Sequence, residues 1–222
     1  MKITKKTTSN RYNGRAGWVP DMIVCHTADG TYEGTILWIE NQSSEVSSHY
    51  VVAKDGRVTQ MVDLKDGAWC NGTSTVATKN SYYAKSSLEV VRQRKANANY
   101  YTVSIEFEGF WKDTKGRLTD AQFSAAADLI RQIRAEVKAQ FGVDIPIDRE
   151  HIVGHHQISP VTRPNCPGEL FQWDALIDAL KADAPPTPDE PDYKALFLAE
   201  QTEHHATKAA LESLKQGIRA LL

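Results

Sequence analysis

A histidine and a cysteine eleven positions apart, His155 and Cys166, sit in the loop Gly154-His155-His156-Gln157-Ile158-Ser159-Pro160-Val161-Thr162-Arg163-Pro164-Asn165-Cys166-Pro167-Gly168. Imidazole nitrogen and thiolate sulfur are preferred ligands of zinc. Two ligands do not complete a site, so a third must come from elsewhere. The best donor is His26, which ends the apolar run Met22-Ile23-Val24-Cys25. Three protein ligands leave the fourth tetrahedral position to water, which is the catalytic arrangement.

The elements that must position these residues are legible in part. Residues 21–26 read as a buried strand, and Tyr32 to Asn41 as a short helix of unassigned face. His49 to Ala53 and Val58 to Val62 flank the turn Lys54-Asp55-Gly56-Arg57, which predicts a β-hairpin. Tyr101 to Phe107 is β-branched and aromatic, and reads as a central strand. Thr119 followed by Gln122 is a capping box. Phe123, Ala127, Ile130, Ile133, Val137 and Phe141 then recur at helical spacing until Gly142. Ile145 to Val153 leads back to the His/Cys loop, and Trp173 to Leu180 reads as a last helix. Residues 1–20 read as an extended polar arm. Residues 66–99 read as a long, weakly patterned segment with a short basic helix from Leu88 to Ala98.

Four segments in order resemble the zinc amidase family (type 2 amidases) shared by phage endolysins, bacterial muropeptide amidases and peptidoglycan recognition proteins. They are Ile23-Val24-Cys25-His26-Thr27-Ala28, Val46-Ser47-Ser48-His49-Tyr50-Val51-Val52-Ala53-Lys54-Asp55-Gly56, Val103-Ser104-Ile105-Glu106-Phe107-Glu108-Gly109, and the His155-to-Cys166 loop with Pro167-Gly168. The resemblance covers roughly residues 15–180. It implies an α/β fold with a single central mixed sheet flanked by helices. It also implies hydrolysis of the amide between N-acetylmuramic acid and L-alanine in peptidoglycan, with zinc on His26, His155 and Cys166.

The resemblance further implies roles for individual residues. The family's ligand follows the Gly of the loop directly, which selects His155 over His156. Glu106 takes the position of the general base. Strand alternation puts Glu106 and Glu108 on one face, opposite Ile105 and Phe107, and the motif register selects Glu106. Many members carry Lys or Thr two residues before the last ligand, where it helps stabilise the oxyanion. Here that residue is Pro164, which has no donor, so the role passes to Arg163 beside it. Val161-Thr162-Arg163 reads as an insertion. His49 lies in a segment the family keeps near the site, and either contacts substrate or closes a buried hydrogen bond. Trp69 matches an aromatic suited to stacking on a sugar or peptide, and Cys70 follows it where the family has His.

The chain has 222 residues, of which 41% are hydrophobic and 24% charged, with a formal net charge of −2. That is an ordinary globular composition, with no bulk charge directing it to nucleic acid or an anionic membrane. Three cysteines argue against a disulfide framework. With Cys166 on metal, Cys25 and Cys70 are expected as buried thiols. No apolar stretch follows the basic start, so neither a signal peptide nor membrane insertion is expected. The chain is therefore expected to be made in the host cytoplasm and to act on the wall after release. The expected organisation is a catalytic domain over 1–182, a Pro-rich linker over 183–191 and a helical tail over 192–222. The tail carries an apolar stripe at Leu211, Leu214, Ile218 and Leu221 that suggests self-association. Two other functions fit less well: a cytoplasmic muropeptide-recycling amidase and a non-catalytic peptidoglycan-binding module.

Overall fold

The computed structural model describes residues 1–182. The expected linker and tail, with their stripe and self-association, lie outside these residues. In chain order the strands are β1 Ile3–Lys5, β2 Arg11–Tyr12, β3 Met22–Thr27, β4 Tyr50–Val52, β5 Val58–Gln60, β6 Gly67–Ala68, β7 Thr102–Phe107 and β8 Ile152–Gly154. The helices are α1 Tyr32–Glu40, α2 Glu89–Arg94, α3 Trp111–Thr114, α4 Asp120–Phe141, α5 His155–Ile158 and α6 Trp173–Ala182. Six strands form one sheet in the order β1-β5-β4-β7-β3-β8, and β2 pairs with β6. The sheet is mixed, because β4 and β5 are antiparallel while β4, β7, β3 and β8 run parallel.

The central strands are apolar on both faces, as parallel strands covered on both sides must be. Ile23, Cys25, Val103, Ile105 and Phe107 pack with Leu129, Ile130 and Ile133 of α4. The alternate residues Met22 and Val24 pack on the other face with Val91, Tyr101 and Val153. Helix α1 buries Tyr32, Ile36 and Ile39 and exposes Leu37 and Trp38.

The capping box forms as the sequence predicts. Gln122 N–H donates to Thr119 Oγ1 at 3.1 Å, and Thr119 N–H to Gln122 Oε1 at 3.2 Å. A cap of this kind stabilises a helix by about 1 kcal/mol. Gly142 ends the helix at φ 70°, a left-handed conformation suited to glycine.

The first twenty residues are not a free arm. Strand β1 extends the sheet edge alongside β5. Arg15 is buried, and its guanidinium donates to the carbonyls of Leu64, Tyr100 and Thr102. Only a buried carbonyl cluster from distant segments makes this arginine structural, and local sequence carries no trace of it. The segment that leads back to the His/Cys loop becomes regular strand at β8, and the loop opens with the single turn α5.

Candidate active site

The strand register brings the chemistry together. His26 on β3 lies opposite Glu106 on β7, and Cys25 opposite Gly154, the residue before His155. All three strands are parallel, so these residues collect beyond their carboxyl ends, where open α/β sheets bind ligands. Alternation turns Cys25 and Ile105 toward α4 and leaves His26 and Glu106 on the opposite face. A cleft of about 500 Å³ opens there, lined among others by Trp38, Trp69, Trp111 and Arg163.

Donor atoms of His26, His155 and Cys166 all lie within 4.8 Å of one another. Cys166 Sγ is 3.6 Å from His26 Nδ1, and the two imidazole rings meet edge to face with centroids 4.6 Å apart. Burial, with Arg163 acting in the same direction, pushes His26 down to about 3 against the opposing effect of Asn71. Burial and the neighbouring His26 also hold His155 well below its ordinary pKa. Both rings are therefore neutral, with lone pairs available to a cation. Burial raises the Cys166 thiol, so without a cation it keeps its proton.

His156 points away. Its backbone N–H and its Nδ1 both meet the Cys166 carbonyl, at 2.8 and 2.9 Å, which closes the loop on itself. The loop end is held by backbone packing. Thr27 Oγ1 donates to Pro167 O at 2.7 Å, and Leu170 N–H to Lys115 O at 2.9 Å. Gly168 has φ 140°, and a Cβ there would lie 2.1 Å from Lys115 O; a Cβ on Gly116 would lie 2.6 Å from Pro167 O. Gly168→Ala is therefore expected to destabilise the protein by a few kcal/mol, through backbone strain together with a contact that cannot relax. A thermal melt of the variant checks this, and an unchanged midpoint contradicts it.

Glu106 faces the cleft with its side chain 17% exposed, and its Oε1 is 3.8 Å from His26 Nδ1. Burial raises its carboxyl to about 7, against the opposing pull of a Cys70 hydrogen bond and Arg163. Glu108 lies past the end of β7, where its carboxylate accepts the Lys54 N–H at 2.7 Å. Arg163 is exposed on the loop, lines the cleft and donates to Thr162 O. Trp69 lines the cleft, and its buried indole Nε1 has no protein partner.

His49 does not reach the cleft. It is fully buried, and its Nδ1 accepts the Ser104 N–H at 3.0 Å. Its Nε2 lies 3.2 Å from Asp66 O and 2.9 Å from Arg15. The expected substrate contact gives way to the buried hydrogen bond that was its alternative. Burial and the Arg15 cation hold the ring neutral.

Cys25 is the buried thiol expected, raised to about 12 by burial. Cys70 is not an inert one. It lies in the cleft wall, its Sγ 3.5 Å from His26 Nε2, and it donates to Glu106 Oε1 at 3.4 Å. The sequence signal was the exchange of one metal-ligating residue type for another beside Trp69. Asn71, also missed, gives its amide hydrogens to the Thr102 and Ser104 hydroxyls at 2.9 Å each, beneath His26.

A family model described as N-acetylmuramoyl-L-alanine amidase matches residues 16–169. The chain is 32% identical over 162 residues to N-acetylmuramoyl-L-alanine amidase A of Achromobacter lyticus, a match covering 68% of this chain and 77% of that one. It is 28% identical over 136 residues to the 1,6-anhydro-N-acetylmuramyl-L-alanine amidase AmpD of Haemophilus influenzae, covering 61% of this chain and 59% of that one. A solved structure of a PlyL mutant superposes with a TM-score of 0.57 at 19% identity, over 82% of this chain and 99% of that one. With the mixed sheet and the His/His/Cys cluster at its strand ends, these matches place the chain in the N-acetylmuramoyl-L-alanine amidase family, as a peptidoglycan amidase.

Proposed function

We propose that this amidase is a zinc enzyme acting on intact cell wall in the manner of an endolysin, with Glu106 as its general base. The observation that carries the metal is the convergence of His26, His155 and Cys166. On a tetrahedral zinc, with Zn–N near 2.0–2.1 Å and Zn–S near 2.3 Å, a nitrogen and a sulfur ligand stand about 3.6 Å apart. Cys166 Sγ and His26 Nδ1 are 3.6 Å apart before any ion is considered. Two neutral imidazoles and a thiol are also a donor set that zinc prefers.

When bound there, zinc supplies Lewis acidity toward the amide carbonyl and lowers the pKa of a water toward about 7. The chain's own residues do the rest. Glu106 takes up a proton at its carboxylate and returns it to the departing L-alanine amine. A carboxyl raised to about 7 is matched to both halves of that transfer near neutral pH. Arg163, at the cleft rim, offers a cation to the developing oxyanion. The tryptophans give the cleft apolar walls on which a glycan or stem peptide can rest.

Arg163→Ala is accordingly expected to slow turnover by roughly a hundredfold, the lower end for a lost oxyanion donor, while zinc affinity changes less. Parallel kinetics and metal titration check this, and an unaltered rate removes the assignment.

The wall-lytic reading is supported by the match to N-acetylmuramoyl-L-alanine amidase A of Achromobacter lyticus, which is at higher identity and covers more of both chains than the match to the anhydro-muramyl amidase of Haemophilus influenzae. The test is chemical. Digestion of purified walls is expected to release new L-alanine amino termini without new reducing sugars, and faster than soluble anhydromuropeptides are cleaved. A preference for the soluble substrates would favour recycling instead.

A further inference from the structure

The Glu106 carboxylate has little to hold it. Among the described residues one side chain hydrogen-bonds it, the Cys70 thiol, which donates to Oε1 at 3.4 Å. The other oxygen, Oε2, is buried without a partner, and His26 Nδ1 stands off at 3.8 Å. Cys70 is itself fixed to the strand that carries Glu106. Its backbone N–H donates to Asn99 Oδ1 at 3.2 Å, and that of Asn71 to the same oxygen at 2.7 Å. Asn71 in turn gives its amide hydrogens to Thr102 and Ser104 of β7, which share a face of the strand with Glu106. On the other side of Cys70, the Trp69 N–H donates to Ser47 Oγ at 2.8 Å. Sulfur and carboxylate thus stand in one frame.

We propose that Cys70 is a positioning residue for the amidase reaction, its thiol holding the Glu106 carboxylate in the orientation that proton transfer needs. This rests on the reading of Glu106 as general base. Cys70 does so as a protonated donor and not as a zinc ligand. Its sulfur lies 3.5 Å from Nε2 and 3.9 Å from Nδ1 of His26, flanking the ring. It groups with His26 and Glu106, whereas the zinc set is His26, His155 and Cys166. A glutamate released from its one partner regains rotamer freedom, and misplacing a catalytic group by about 1 Å can cost a hundredfold in rate.

A double-mutant cycle on the full chain tests this, with zinc content measured for every variant. Cys70→Ala is expected to keep its zinc and to lower kcat on wall fragments by roughly tenfold, within the range for a misplaced catalytic group, while KM hardly moves. Cys70→Ser, which fills much of the same space and keeps a donor, is expected to turn over faster than Cys70→Ala. In a Glu106→Gln background there is no carboxylate to hold, so the two losses are expected not to multiply. A Cys70→Ala variant with the parent's kcat, or one that loses its zinc, overturns the proposal. So does a serine variant no faster than the alanine one, or an equal fractional loss in both backgrounds, which would place the effect of Cys70 elsewhere. Each of these leaves the base reading standing if Glu106→Gln is crippled. A Glu106→Gln variant that turns over at the parent rate overturns that reading, and the role of Cys70 with it.

Discussion

Cys166→Ser is expected to lose nearly all its zinc and its activity on walls while keeping its fold. A serine hydroxyl holds its proton at neutral pH, whereas a thiol yields its proton to zinc and bonds through a soft sulfur. Outer-shell partners of metal ligands are worth 10–100-fold in affinity, so loss of a direct ligand should exceed roughly 100-fold. Neither remaining thiol takes the place of Cys166: Cys25 is sealed against α4, and Cys70 groups with His26 and Glu106 rather than with His26 and His155. The fold should survive, because the loop end is held by Thr27, Lys115 and His156 and not by the cysteine side chain. Metal analysis after dialysis, with circular dichroism as the control, decides the matter, and full zinc content in a folded variant would remove Cys166 from the site.

Glu106→Gln is the second large effect. Turnover should fall by roughly a hundredfold or more, the scale of a lost general base, with zinc affinity largely kept. The same variant carries an opposite effect on stability. Burial raises the Glu106 carboxyl from its ordinary 4.5 to about 7. Between those values the folded chain binds more protons than the unfolded one, so stability declines as pH rises through 4.5 to 7 and levels off above. At 1.36 kcal/mol per pKa unit the whole shift amounts to no more than about 3 kcal/mol. In chelator, Glu106→Gln should therefore melt above the parent at pH 8, and the advantage should vanish near pH 4. Equal melting temperatures at pH 8 would mean that the carboxylate is not desolvated as the structure has it.

The candidate site was legible in sequence where residue type and the family resemblance point to the same positions. His26 closing an apolar run, His155 after Gly154 and Cys166 before Pro167 are visible because a ligand must be one of few residue types at the end of a rigid element. Glu106 was separable from Glu108 only by motif, and the structure adds the physical reason: one faces the cleft and the other binds the Lys54 N–H. His49 was ambiguous because a histidine in a β-rich segment can turn to either side, and the partners that settle it, Arg15 and Asp66, are far off in the chain. The capped helix α4 and the hairpin β4–β5 rest on local rules and were readable. The N-terminal residues, Cys70 and Asn71 take their roles from contacts 28 to 87 positions away, which no local pattern encodes.

The contact of Gly116 with Pro167 and of Gly168 with Lys115 involves main chain on both sides. It leaves no side chain through which substitution can adjust the position of Cys166 by degrees. Arg163, Pro164 and Asn165, a few residues earlier, are exposed and line the cleft. One loop is thus divided between a fixed anchor and a free bow. Residues can be added to or exchanged in the bow, reshaping what an incoming wall fragment meets, while the anchor keeps the sulfur in place. Attempts to redirect such an enzyme to other wall chemistries belong in the bow, and libraries that touch the anchor should yield mostly unfolded clones.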